Sequence, residues 1–172
     1  MAGKDVVPTE QMVAKLKAAA GARHSKDFFI LARTDARGVH GLDEALRRGE
    51  QYLEAGADGV FIEAPQSVEE LERIGRTFKG VPQMANMLEG GGRTPVLPPK
   101  ELFAMGFAMA AYPTTLIFRV ARTIERALAD IKAGKTIDSN DGVNFAEFKE
   151  ITDFDKWARI EDAYGRAPRA TS

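Results

Sequence analysis

The chain has 172 residues, with 24 Lys and Arg against 25 Asp and Glu, a formal net charge of -1 and no cysteine. That length suits one domain or a piece of a larger one. The balanced charge argues against a nucleic-acid binder working by phosphate neutralisation, and the lack of thiols excludes disulfides, zinc–thiolate sites and a cysteine nucleophile within these residues. The longest apolar stretch, Leu102 to Tyr112, is too short to cross a bilayer and stops at Pro113. The start, Met-Ala-Gly-Lys-Asp, has no apolar signal-peptide core, so a soluble cytoplasmic protein with no membrane or nucleic-acid partner is expected.

Pro8-Thr9-Glu10 opens a helix whose inward face carries Met12, Val13, Leu16 and Ala20, and Gly21 is placed to end it. The unbroken apolar run Phe28–Ala32 fits a strand buried on both faces. It stops at Arg33-Thr34-Asp35. A loop over Gly38–Gly41 then leads into a helix from Leu42 to Ala55. The pattern repeats: Gly59–Ile62 reads as a strand ending at Glu63-Ala64-Pro65, and Ser67 is positioned to cap a helix over Val68–Phe78. A short strand Gln83–Ala85 ends at Asn86-Met87. A short helix Lys100–Met105 precedes a fourth apolar run, Phe107–Ala111, which stops at Tyr112-Pro113. A long helix follows from Thr114 to about Ala133, with Gly134 after it.

Strand starts near Phe28, Gly59, Pro82 and Phe107 lie 31, 23 and 25 residues apart. Units of this length are βα units, which imply parallel strands joined by right-handed crossovers. From Lys135 the chain changes character: Asp138-Ser139-Asn140-Asp141-Gly142, then amphipathic segments around Phe145-Phe148 and Phe154-Trp157-Ile160, and a frayed tail after Gly165. The expected organisation is a βα region over 1–134 and a helical extension over 135–172.

Polar chemistry collects where the strands end: Arg33 and Asp35 after the first, Glu63 after the second, Asn86 after the third, Tyr112 after the fourth. In parallel α/β proteins these ends and the following loops build the active site. Arginine suits a carboxylate through two parallel donors, and an Asn amide can polarise a carbonyl or enolate oxygen. The implied ligand is a small, oxygen-rich acid. A plainer reading of Arg33 stands beside this one, as half of a structural ion pair with Asp35 or Glu63. Gly90-Gly91-Gly92 before Arg93-Thr94-Pro95 matches neither dinucleotide nor P-loop spacing and reads as a flexible loop. His24 and His40 read as solvent-facing, Met84, Met87, Met105 and Met109 as core filling, and Glu69-Glu70 with Glu72-Arg73 as a solvated helix face.

Ala32-Arg33-Thr34-Asp35-Ala36, Gly41-Leu42-Asp43-Glu44-Ala45, Glu54–Asp58, Phe61-Ile62-Glu63-Ala64 and Ala85-Asn86-Met87 occur in order, followed by Glu89-Gly90-Gly91, Thr94-Pro95 and Tyr112-Pro113. Together they resemble the isocitrate lyase/phosphoenolpyruvate mutase superfamily over roughly residues 4 to 134. The likeness is strongest to its 2-methylisocitrate lyase, dimethylmalate lyase and oxaloacetate-acting branch. The resemblance implies an α/β fold that is part of a (β/α)8 TIM barrel, its four C-terminal βα units. It implies a carbon–carbon lyase working on a small 2-hydroxy di- or tricarboxylate, such as 2-methylisocitrate or an alkylmalate, through a Mg-stabilised enolate. Phosphonomutase or oxaloacetate decarboxylase chemistry is the alternative enzyme reading, and a non-catalytic half-barrel the alternative of another class.

By the same resemblance Arg33 binds a substrate carboxylate, Glu63 contacts the substrate or orders its hydroxyl, and Asn86 holds an oxygen with Met87 and Leu88 backbone atoms beside it. The family's second substrate-binding arginine has no match in strict register: Phe118 stands there and Arg119 one position later. The family's acidic metal ligands and Cys-containing loop precede the stretch Gly3–Pro8, and a complete barrel takes ~250 residues. The expectation is therefore a truncated chain that keeps the substrate-orienting groups without catalytic residues or a metal site of its own. It is expected to be weak or inactive alone and to associate with another copy or a missing half-chain.

Overall fold

A computed structural model describes residues 3–135 and 142–165. The stretch Asp138–Asp141 of the expected helical extension and the expected tail after Gly165 lie outside the described residues. The chain divides into two compact units, Met1–Arg119 and Val120–Ser172.

In the first unit, helix α1 (Thr9–Ala22) is followed by strand β1 (Leu31–Thr34), helices α2 (Ala36–His40) and α3 (Leu42–Glu54), and strand β2 (Gly59–Ile62). Then come α4 (Val68–Thr77), β3 (Met84–Asn86), α5 (Pro99–Ala104) and β4 (Met109–Ala111). Helix α6 (Thr115–Lys132) crosses the division between the units. The second unit also holds α7 (Phe145–Ile151) and α8 (Phe154–Tyr164).

Among the described residues all strand pairing is parallel, as the βα spacing requires. β1 pairs with β2 and β3 with β4. One bridge, Val60 to Gln83, joins β2 to β3, with the Val60 amide donating to the Pro82 carbonyl at 3.1 Å. Alternation then sorts the side chains. Val60, Ile62 and Ala85 face the helices and pack with Leu46, Leu71, Ile74 and Phe78. Arg33 lies opposite Phe61 in the β1–β2 register, and its guanidinium sits 5.0 Å from the ring centroid. A second cluster joins Leu16 of α1 to Ile30, Ala32 and Tyr52, with Met12, Val13 and Ala20 against it, the face expected from helical spacing.

Three expectations are corrected. The first strand begins at Leu31, not Phe28, and Phe28 is 65% exposed. The Phe28 amide is turned back to the Ser25 carbonyl, and Asp58 takes the Ile30 amide, so the run enters the sheet late. The segment after Asp35 is not all loop, because Ala36–His40 forms a short helix in which the Gly41 amide donates to the Arg37 carbonyl. Glu70 is not solvated: it is an inward carboxylate bound to Arg37.

Ser67 caps α4 as expected, its hydroxyl accepting from the Glu70 amide. Gly75 in α4 lies so close to the α5–β4 turn that a Cβ there would fall 1.9 Å from the Met105 carbonyl oxygen. In the second unit Asn144 and Glu147 form a reciprocal capping box on α7. Among the described residues no helix is long and apolar enough to cross a membrane.

Candidate functional site

The parallel register brings the polar strand ends to one edge. Thr34 pairs with Ile62, so Asp35 and Glu63 follow side by side, and the Glu63 amide donates to the Thr34 carbonyl at 3.0 Å. The bridge at Gln83 sets Asn86 beside Glu63 in turn, and the Asn86 amide nitrogen lies 3.5 Å from a Glu63 oxygen. Arg33 reaches both acids. It donates to Asp35 through Nε at 2.7 Å and Nη2 at 3.0 Å, and Nη2 is 3.5 Å from Glu63. Lys4, in the segment before α1, adds a 2.8 Å contact to Asp35.

These contacts set the protonation of the cluster. Hydrogen bonding from Arg33, helped by Lys4, lowers the Asp35 carboxyl to about 2, although partial burial pushes the other way. The same pair raises the Arg33 guanidinium, with Glu63 adding to the effect. Arg33 is therefore a fixed cation and Asp35 a fixed anion at any working pH.

A cavity of about 520 Å3 opens at this edge, bordered by Lys4, Asp35, Glu63, Asn86, Leu88 and Arg93 among others. Arg33 borders an adjoining cavity of about 210 Å3 that shares Lys4 and Asp35. Glu63, Asn86 and Leu88 border the larger cavity. Met87 does not face the cavity: its side chain is fully buried in the core and its amide donates to the Ala111 carbonyl. Tyr112 is exposed and does not border the cavity. His24 and His40 are exposed, as expected.

Lys4 and Arg93 were not singled out by the sequence reading. A lysine before the first helix gives no local signal, and Arg93 follows a glycine run that reads as a flexible loop. Two features mark the site as more than a surface dip. Ala64, directly after Glu63, has φ 58°, a left-handed backbone in a non-glycine residue, which costs roughly 1–2 kcal/mol unless its surroundings hold it. The Asn86 side-chain oxygen is buried with no hydrogen-bond partner, a cost that a donor on a ligand would remove.

Mg2+ needs carboxylate or carbonyl oxygens that are free to turn toward it. Here Asp35 is taken by Arg33 and Lys4, and Glu63 lies against Arg33 and Asn86. Among the described residues no three acidic or histidine side chains gather as metal ligands. The residues present do not fit a Mg2+ site by themselves.

The profile of the phosphoenolpyruvate phosphomutase family matches residues 1–132. The chain belongs to that family. Among relatives in the family, it is 44% identical to 2,3-dimethylmalate lyase of Eubacterium barkeri over 95% of its own length and 57% of that protein. It is 41% identical to the petal death protein of Dianthus caryophyllus, over 99% of this chain and 54% of the other. A crystal structure of 2,3-dimethylmalate lyase, a PEP mutase/isocitrate lyase superfamily member, superposes with a TM-score of 0.83 at 26% identity, covering all of this chain and 57% of that one. The chain thus spans about half the length of the curated relatives it matches.

Proposed function

We propose that this chain is the substrate-orienting half of a carbon–carbon lyase that acts on a small 2-hydroxy di- or tricarboxylate of the alkylmalate or 2-methylisocitrate kind. In this reading residues 1–134 are four βα units of a (β/α)8 barrel and 135–172 its helical extension. A separate half-chain completes the barrel in the cytoplasm and brings the Mg2+ ligands and the acid–base group. The observation that carries the proposal is the convergence of three successive parallel strand ends on one polar edge: Glu63 and Asn86 line the larger cavity, and Arg33, 3.5 Å from Glu63, lines the adjoining one that shares Lys4 and Asp35.

Each group has a distinct part. Arg33, in the smaller cavity, offers fixed positive charge to a carboxylate, Lys4 borders both cavities beside it, and Arg93 borders the larger cavity for a second carboxylate. The unpartnered Asn86 oxygen accepts a substrate hydroxyl, which selects hydroxy acids over plain dicarboxylates. Glu63, held by Arg33, fixes the direction of the Asn86 amide. The backbone of Leu88 borders the bound acid. These residues bind and orient; none of them is assigned a proton-transfer or metal-binding step.

The test is calorimetric titration with 2-methylmalate and with oxalate, alongside a pyruvate-release assay on dimethylmalate with and without Mg2+. Saturable binding that is lost in Arg33→Ala, with no lyase turnover from the chain alone, is the expected result. Mg-dependent cleavage by the 172-residue chain alone would overturn the half-site reading and make Asp35 and Glu89 the first residues to mutate.

A further inference from the structure

Behind the cavity, α2 and α4 are tied by one ion pair. Arg37 of α2 donates to the two oxygens of Glu70 in the first turn of α4, with Nε at 2.8 Å from Oε2. Both side chains are about four-fifths buried. Glu70 Oε2 also accepts the Gln66 amide at 2.8 Å, and the Glu70 amide is held in turn by the Ser67 hydroxyl. The short segment from Glu63 to Gln66, which contains the left-handed Ala64, is therefore fixed at both ends: at Glu63 by the Thr34 carbonyl and at Gln66 by Glu70. At the other end of the tie, α2 starts directly after Asp35. The Ala36 amide donates to the Thr34 hydroxyl and the Gly38 amide to the Asp35 carbonyl.

We infer that Arg37 and Glu70 are positioning residues, a clamp that sets the spacing between the Arg33–Asp35 corner and Glu63. Neither residue borders the cavity. The pair acts through two short rigid connections, one residue from Asp35 to the start of α2 and four from Gln66 to Glu70. A paired guanidinium and carboxylate with parallel donors fixes direction as well as distance. The left-handed Ala64 needs such support, since without it the segment relaxes and Glu63 moves away from Arg33 and Asn86. As a device for ordering the ligand site, the clamp rests on the functional reading above; as a device for ordering Glu63, it does not.

The experiment uses the full chain and two readouts. The Arg33 side-chain Nε–H signal in a 15N-edited spectrum reports the Arg33–Asp35–Glu63 geometry without any ligand. Titration with oxalate reports the binding consequence. Arg37→Ala and Glu70→Gln are expected to shift or broaden the Arg33 signal and to weaken oxalate binding about tenfold, the middle of the range for residues that act through others. Backbone amide dispersion of the first unit should stay folded-like. Arg37→Lys keeps the charge but loses the two parallel donors. It is expected to show the same spectral change and covers the case in which Arg37→Ala does not fold. An unchanged Arg33 signal in a folded Arg37→Ala or Arg37→Lys chain overturns the clamp. Absence of oxalate binding by the unsubstituted chain, with the Arg33 signal still moved by the substitutions, counts against the functional reading and leaves the clamp standing.

Discussion

Arg33 carries two duties that pull against each other. It neutralises Asp35 and Glu63 in the absence of ligand, and it is the cation on offer to a substrate carboxylate. Its side chain is 48% exposed, so removing it leaves the core intact and releases two acids toward one another. Arg33→Ala is expected to weaken dicarboxylate binding by roughly two orders of magnitude, the cost of a lost charge-assisted contact, and to lower the thermal midpoint as Asp35 and Glu63 lose their shared cation; calorimetry and a melting curve on the same sample read the two effects separately. At Ala64 the expectation runs the other way. Glycine tolerates a φ of 58° without the steric penalty, so Ala64→Gly should be neutral or stabilising by up to about 1 kcal/mol yet loosen Glu63. Unchanged stability with tighter ligand binding would contradict that. The strand-end residues were legible in the sequence because each follows an apolar run. The support under them was not: a pair such as Arg37 and Glu70, 33 positions apart, is brought together only by two helices packing, and Glu70 taken alone looks like any surface glutamate.

At the scale of elements, βα alternation was readable because runs such as Gly59–Ile62 are buried along their whole length, and the Ser67 cap because a serine three residues before Glu70 has one dominant use. Ser67→Ala should cost about 1 kcal/mol by losing that cap, read from a urea transition. What escaped the sequence was the start of β1, since composition cannot tell a strand residue from the two phenylalanines that approach it. The tight contact at Gly75 also escaped it. α4 meets the turn after α5 at Gly75, where a methyl group would overlap a backbone carbonyl that cannot rotate aside. Gly75→Ala is therefore expected to destabilise by more than 3 kcal/mol, a large effect for one added carbon, despite the better helix propensity of alanine. A smaller loss would mean that α4 and α5 slide apart easily.

At the scale of the whole molecule, acid is the condition that tests the charge pattern. Among the described residues five carboxylates titrate below their ordinary values in the folded chain: Asp35 through Arg33, Glu44 through Arg47 and Arg48, Glu70 through Arg37, Asp58 through the Ile30 amide and Arg23, and Glu69 through the Ser67 hydroxyl. Over the interval where the unfolded chain has taken up these protons and the folded chain has not, each step toward acid favours unfolding. The stabilisation is complete above the ordinary carboxylate range of about pH 4 and drains away as the pH falls toward about 2, to which Asp35 and Glu44 are lowered in the folded chain. Urea midpoints should hold steady from neutrality to about pH 5 and fall steeply below about pH 4. A flat profile would mean that the pairs are as well formed in the unfolded chain.

The single bridge between β2 and β3 has a dynamic consequence. β1–β2 and β3–β4 are each bonded along their length, whereas Val60 and Gln83 alone close the line between them. Breathing of the sheet concentrates at a joint with few bonds, in openings well short of global unfolding. The Val60 amide should then exchange its hydrogen for deuterium faster than the ladder amides of β1–β2. Glu63 stands on one side of that joint and Asn86 on the other, so a molecule that holds both would act as a rivet across it, and its arrival should slow exchange at Val60 more than anywhere else in the sheet.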